Sequence, residues 1–194
     1  MGKLADLRQR AGSLIAAPLL RVAVRLHLSA NTVTVAGLVV CIGAAVAIAT
    51  GHLLVGGLVV LFSGLFDILD GALARSTGKS TKFGALLDSV FDRLSEAALL
   101  FALAVLYTER GTLPGVFLAI IALVGSFLTS YVRARAEGLG LTCRVGFFTR
   151  AERVIILALG LVFNQVLIAL SLIATLSYVT VGQRVAHIWS QTRG

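Results

Sequence analysis

The chain has 194 residues, 58% of them hydrophobic and 13% charged, with twenty glycines and a net charge of +8. Ordinary globular domains are about 45–50% apolar and about 25% charged. These proportions and a mean hydropathy of +0.96 exclude a soluble enzyme with a separate core, a disordered chain and a disulfide-stapled scaffold, leaving an all-α integral membrane protein of one domain over residues 1–194.

Residues 1–28 set Lys3, Arg8, Arg10, Arg21 and Arg25 among Leu, Ile, Val and Ala at helical spacing. That pattern predicts an amphipathic helix lying in the headgroup plane rather than a cleavable signal. Ser29, Ala30 and Asn31 offer a cap, and the uncharged residues 32–50 predict a first span. After a turn at Gly51-His52, a second apolar segment runs from residue 53 into Asp67, and residues 75–82 form a polar loop. A third span is predicted over 83–108, its first half holding Asp88, Asp92, Arg93 and Glu96, and a fourth over 111–132. Residues 133–153 are the longest polar stretch. Residues 154–183 carry no charge. One helix of that length would measure about 45 Å against a hydrocarbon core of about 30 Å. Two spans are therefore predicted, turning near Asn164-Gln165, with the fifth starting back near Phe147. The expected fold is six transmembrane helices over 29–190, preceded by the interfacial helix.

With six spans, every Lys and Arg outside the spans except Arg110 falls on one side. That bias predicts a multi-pass protein of the cell membrane with both termini in the cytoplasm; five spans would leave Arg184 and Arg193 outside. The basic excess serves orientation and anionic headgroups in such a chain, so no nucleic-acid partner is expected. Cys41 and Cys143 have no metal-type spacing and are expected to be unpaired. His27, His52 and His187 lack partners at ligand spacing, and Tyr178 and Trp189 fit an aromatic belt.

Four of the five aspartates fall between Asp67 and Asp92. A charged side chain at a span centre costs about 2.5–3.5 kcal/mol on insertion scales, so four together require cations. Asp67 and Asp70 share one helix face at i, i+3, and Asp88 and Asp92 share another at i, i+4. The short loop between the two helices predicts that they are neighbours, bringing four oxygen donors together near the cytoplasmic interface. All-carboxylate ligation suits Mg²⁺ or Mn²⁺ rather than zinc. A purely structural alternative pairs these acids with Arg75, Lys82 and Arg93.

The pattern Asp67-x-x-Asp70-Gly71-x-x-Ala74-Arg75, then eight residues, then Gly84-x-x-x-Asp88-x-x-x-Asp92 resembles the signature of the CDP-alcohol phosphotransferases at all eight fixed positions. The resemblance implies an enzyme whose Asp67, Asp70, Asp88 and Asp92 hold two Mg²⁺ ions against the diphosphate of a CDP-linked lipid. It also implies that Asp92 acts as general base on the attacking hydroxyl. Gly71, Ala74, Arg75 and Thr81, together with Asn31-Thr32-Val33-Thr34 and Asp67, match positions lying against the CDP moiety. Gly84 serves close approach or plain helix packing, and Asn31 alone reads equally as a helix cap. The family also implies a homodimer.

Ser130-Tyr131-x-Arg133-x-Arg135-Ala136-Glu137 and Arg150-Ala151-Glu152-Arg153 resemble elements of the phosphatidylinositol phosphate synthase subgroup and its archaeal counterparts, as does Asp92-Arg93. In that subgroup the residues matching Arg133, Arg153 and Arg184 line a pocket for the phosphate of inositol 1-phosphate. Arginine suits the task, because its planar fork takes two phosphate oxygens at once. Headgroup anchoring is the competing reading, and it is preferred for Arg135 and Arg144. The resulting expectation is transfer of a phosphatidyl group from CDP-diacylglycerol, or CDP-archaeol, to inositol 1-phosphate, with glycerol 3-phosphate as the alternative acceptor. A small transporter or lipid-binding scaffold is the alternative of another class. Broken spans or inverted repeats would mark a transporter, and neither is visible.

Overall fold

The computed structural model describes residues 28–77 and 81–193, together with Arg21 and Val24. The helix expected over 1–28 lies outside the described residues apart from Arg21, Val24 and Leu28, and so does the side chain of Arg75. All described secondary structure is helical, in six helices: α1 (Ala30–Ala49), α2 (Leu53–Thr77), α3 (Lys82–Glu109), α4 (Leu113–Gly138), α5 (Arg150–Val162) and α6 (Val166–Thr192).

The breaks fall where the local chemistry ends a helix. Ser29, not Asn31, caps α1: its Oγ accepts from the Thr32 amide at 3.1 Å. Gly51, at φ 84°, turns the chain into α2, and Gly111, at φ 66°, turns it into α4, both in a left-handed region that costs glycine least. Asn164, at φ 55°, makes the expected turn between α5 and α6. The caps Thr81 and Thr149 open α3 and α5; Thr81 Oγ1 accepts from the Gly84 amide at 2.9 Å, and the Glu152 carboxylate accepts from the Thr149 amide at 2.8 Å.

Several expected bounds move. α4 runs past residue 132 to Gly138, because an i, i+4 pair carries the helix through polar sequence; Arg133 Nε donates to Glu137 Oε1 at 2.9 Å. α5 starts at Arg150 rather than near Phe147, since residues 139–149 form an irregular segment. Its 13 residues span only about 20 Å. Among the described residues, four helices are long and apolar enough to cross a membrane: α1, residues Leu53–Ala74 of α2, α4 and α6. α3 differs because Lys82, Asp88, Asp92 and Arg93 occupy its first half.

The helix pairs in principal contact are α1–α2, α2–α5, α5–α6, α6–α4, α4–α3 and α3–α1, so the bundle closes into a ring. Small residues permit the close approaches. A Cβ on Gly37 would lie 2.9 Å from Phe66 Cβ, and one on Gly57 would lie 2.9 Å from Leu161 Cβ and 3.0 Å from the Ala158 carbonyl. Ile48, Leu99, Leu103, Ala122, Leu170 and Ile173 are buried in the core, while Val39, Phe62, Phe101, Phe117, Phe163 and Ile168 stay exposed around the outside. An apolar exterior of that extent is a lipid-facing surface.

One expectation is corrected. α2 and α3, although joined by a short loop, are not a principal packing pair; each packs on α1 instead. Four like charges on two closely packed helices would repel one another. α1 spaces the two helices and leaves room between their acidic ends.

Candidate active site

The acidic ends of α2 and α3 meet the N-terminal ends of α1 and α5. Asp67, Asp70, Asp88 and Asp92 stand close enough to interact electrostatically, Asp67 with each of the other three and Asp88 with both Asp70 and Asp92. Thr34 Oγ1 of α1 donates to Asp70 Oδ2 at 2.9 Å, and Asp70, buried to 6% exposure, also accepts from the Gly71 amide. Arg150, at the start of α5, bridges two of the other three: its Nη1 lies 2.6 Å from Asp67 Oδ2 and 2.7 Å from Asp92 Oδ1.

No group of three or more His, Cys, Asp or Glu side chains among the described residues is gathered at metal-holding distances. A guanidinium instead supplies positive charge between two of the acids. The donor chemistry nonetheless fits a hard divalent cation, since carboxylates are the preferred ligands of Mg²⁺ and Mn²⁺, and one cationic nitrogen already reaches oxygens on both helices.

Two cavities flank the acids. The smaller, about 210 Å³, lies between α1, α2 and α3 and is lined by Asn31, Thr34, Asp70, Gly71, Ala74, Thr81, Gly84 and Asp88. Most of the residues expected at the CDP moiety thus share one wall. Thr32 and Val33 do not line it: Thr32 is tied to Ser29 through a 2.8 Å hydroxyl contact, and Val33 is buried against Leu73. A Cβ on Gly84 would lie 3.0 Å from Thr81 Oγ1 and 3.2 Å from Asn31 Oδ1 of α1, so a side chain here would crowd the cavity wall where α3 approaches α1.

The larger cavity, about 410 Å³, is lined from α3 by Ser89, Asp92, Arg93 and Glu96, from α4 by Thr129, Ser130, Arg133 and Glu137, from α5 by Arg150 and Arg153, and from α6 by Arg184. Asp92 alone among the four aspartates faces it, and Asp67 lines neither cavity. Five arginines against three carboxylates leave an excess of two positive charges, a complement for a dianion.

The three expected arginines all line this cavity in different states. Arg133 is exposed and paired with Glu137. Arg153, at 3% exposure, forks onto Glu96 with Nε at 2.6 Å and Nη2 at 2.9 Å, while its Nη1 donates to Thr129 Oγ1 at 3.1 Å. Arg184, at 6% exposure, has no carboxylate partner among the described residues; it donates to the Val145 carbonyl at 3.1 Å and to the Thr129 carbonyl. Gly146, at φ 104°, brings residues 139–149 onto it, since a Cβ there would lie 3.0 Å from Arg184 Nε. Arg135 and Arg144 are exposed.

Arg150 and Glu96 went unassigned in the sequence, although a signal for each existed. Arg150 stands i, i+3 from Arg153, and Glu96 stands i, i+4 from Asp92, so each shares a helix face with an assigned residue. Both cysteines are buried and free.

The CDP-alcohol phosphatidyltransferase family matches residues 27–184. The chain belongs to that family. It is therefore an enzyme of phospholipid biosynthesis, a phosphatidyltransferase, and a multi-pass membrane protein. Archaetidylinositol phosphate synthase of Methanothermobacter thermautotrophicus is 35% identical over 178 residues, 89% of each chain. Phosphatidylinositol phosphate synthase of Mycobacterium tuberculosis is 36% identical over 98% of this chain and 93% of that one. The crystal structure of the M. tuberculosis synthase with CDP-DAG bound superposes with a TM-score of 0.84 at 34% identity, covering 90% of this chain and 93% of that chain. Its complex with manganese and citrate gives 0.82 at 34% identity, covering 90% and 88%.

Proposed function

We propose that this phosphatidyltransferase moves the phosphatidyl group of CDP-diacylglycerol, or of CDP-archaeol, to inositol 1-phosphate, giving phosphatidylinositol phosphate and CMP. The observation that carries the reading is the arginine-lined cavity opening beside Asp92. An acceptor that is itself a phosphate monoester brings about two negative charges, which the excess of two arginines balances. Arg184, free of carboxylates among the described residues, is the main phosphate clamp. Arg133 and Arg153 are oriented towards the same space by Glu137 and Glu96. The names of the archaeal and mycobacterial relatives favour inositol over glycerol.

The CDP moiety takes the smaller cavity, against Asn31, Thr34, Gly71, Ala74 and Thr81, with Thr32, Val33, Asp67 and Arg75 completing the wall. The CDP-DAG bound to the mycobacterial neighbour supports a donor of that class. Asp67, Asp70, Asp88 and Asp92 would hold two Mg²⁺ ions, with Mn²⁺ as a substitute; manganese in the same neighbour supports this. Bound there, the ions would neutralise the diphosphate and the departing CMP. Asp92, between the acids and the acceptor cavity, accepts the proton of the inositol hydroxyl as its oxygen bonds to phosphorus and the bond to CMP breaks. The chain is one domain of six membrane helices, with the 1–28 helix in the interface, both termini and the site on the cytoplasmic side, and assembly as a homodimer.

The test incubates purified protein with CDP-diacylglycerol and Mg²⁺, adding inositol 1-phosphate, glycerol 3-phosphate, free inositol or serine in separate tubes, and measures CMP. Release with inositol 1-phosphate alone is expected. Release with glycerol 3-phosphate alone would remove inositol from the acceptor cavity and keep the aspartate chemistry.

A further inference from the structure

Arg150 is the residue that the family reading leaves without a task, yet it joins the two halves of the site. Its Nη1 bridges Asp67 of α2 and Asp92 of α3 at 2.6 and 2.7 Å, while its side chain lines the acceptor cavity with Arg153 and Arg184. Two features distinguish it from a permanent structural ion pair. The first is an unsatisfied donor: Arg150 Nε is buried with no hydrogen-bond partner. A guanidinium held for good in a buried position normally has its donors paired. The second is accessibility: the side chains of Arg150, Asp67 and Asp92 keep 26%, 41% and 25% of their exposure, so ions and water reach the bridge. By contrast, the Arg153–Glu96 pair is 3% and 6% exposed and locked.

We propose that Arg150 is an exchangeable counter-ion: its guanidinium and a divalent cation compete for Asp67 and Asp92, and the cation's arrival turns Arg150 towards the acceptor phosphate. The inference rests on the carboxylates being the metal site. The bridging nitrogen already lies within 2.7 Å of an oxygen on each helix, so closing those oxygens onto Mg²⁺ at about 2.1 Å needs shifts of only several tenths of an ångström. Arg150 can turn from one half of the site to the other because it stands at the first position of α5, with the irregular segment 139–149 before it. Exchange links the two ligands. Metal binding frees a cation for the acceptor phosphate, and phosphate held by Arg150 makes the carboxylates available to metal, the same factor in both directions. Arg150 is a positioning residue in this scheme.

Mn²⁺ binding to the purified full-length protein, followed by electron paramagnetic resonance with no lipid or acceptor present, tests the exchange. Arg150→Gln is expected to bind Mn²⁺ about tenfold more tightly than wild type, the scale of one charge-assisted hydrogen bond. In wild type, Mn²⁺ is expected to raise the affinity for inorganic phosphate more than it does in Arg150→Gln. A wild-type structure with Mn²⁺ bound covers the case in which the variant does not fold: the guanidinium is expected to have left both carboxylates. Unchanged or weaker Mn²⁺ binding by a folded Arg150→Gln, or a bridge still intact beside bound Mn²⁺, overturns the exchange and leaves the metal site standing. Absence of Mn²⁺ binding by wild type overturns both together.

Discussion

Replacing Glu96 by Ala isolates the buried guanidinium of Arg153. Glu96 accepts two of the Arg153 donors, at 2.6 and 2.9 Å, and only the 3.1 Å bond from Nη1 to Thr129 remains without it. Arg153 is 3% exposed, so water reaches it only through the space that Glu96 vacates beside the cavity. Breaking one side of a buried pair costs about 3–5 kcal/mol, because the remaining charge is uncompensated. At about 2–4 °C per kcal/mol for a chain of this size, the unfolding midpoint falls by roughly 10 °C. The assay is thermal unfolding by circular dichroism at fixed detergent concentration. Glu96→Ala/Arg153→Met, which removes the stranded charge, is expected to recover much of the loss in stability while leaving acceptor binding impaired. A midpoint for Glu96→Ala within about 2 °C of wild type, or a double variant no more stable than the single one, would refute the reasoning.

Asp92→Asn leaves the carboxamide in place but removes the proton acceptor, and CMP release is expected to fall by about 10²–10⁴-fold while CDP-diacylglycerol still binds. Arg184→Ala is expected to raise KM for inositol 1-phosphate with a smaller change in kcat, measured by CMP release across acceptor concentrations. Chelation with EDTA is expected to stop CMP release, and added Mg²⁺ or Mn²⁺ to restore it. Gly57→Ala sets a Cβ 2.9 Å from Leu161 Cβ and 3.0 Å from the Ala158 carbonyl, so α2 and α5 must part; overpacking costs about 1–3 kcal/mol, read as a lower unfolding midpoint.

The turn at Asn164 and the grouping of the aspartates were legible because each follows from local chemistry. The uncharged stretch 154–183 is too long for one span, and the chain turns at Asn164 as length alone required. Asp67, Asp70, Asp88 and Asp92 sit at helical spacings that aim each pair from one face. Helix ends were less legible. Arg133 and Glu137 look like loop residues in a polar stretch, yet their i, i+4 pair continues α4.

The sequence by itself determined a membrane-embedded helical chain with four aspartates at helical spacings, because composition and spacing act through solvation along one chain, and the CDP-alcohol enzyme type followed from the resemblance of an eight-position pattern to that family. Only the tertiary structure decided that α2 and α3 stand apart on α1, that Glu96 takes up Arg153, and that Arg150 reaches from α5 to Asp67 and Asp92. Those choices depend on which helices pack in the ring. A buried or crowded charge is neutralised by the opposite charge that the fold brings nearest, and Arg150 is 83 residues away from Asp67 in sequence.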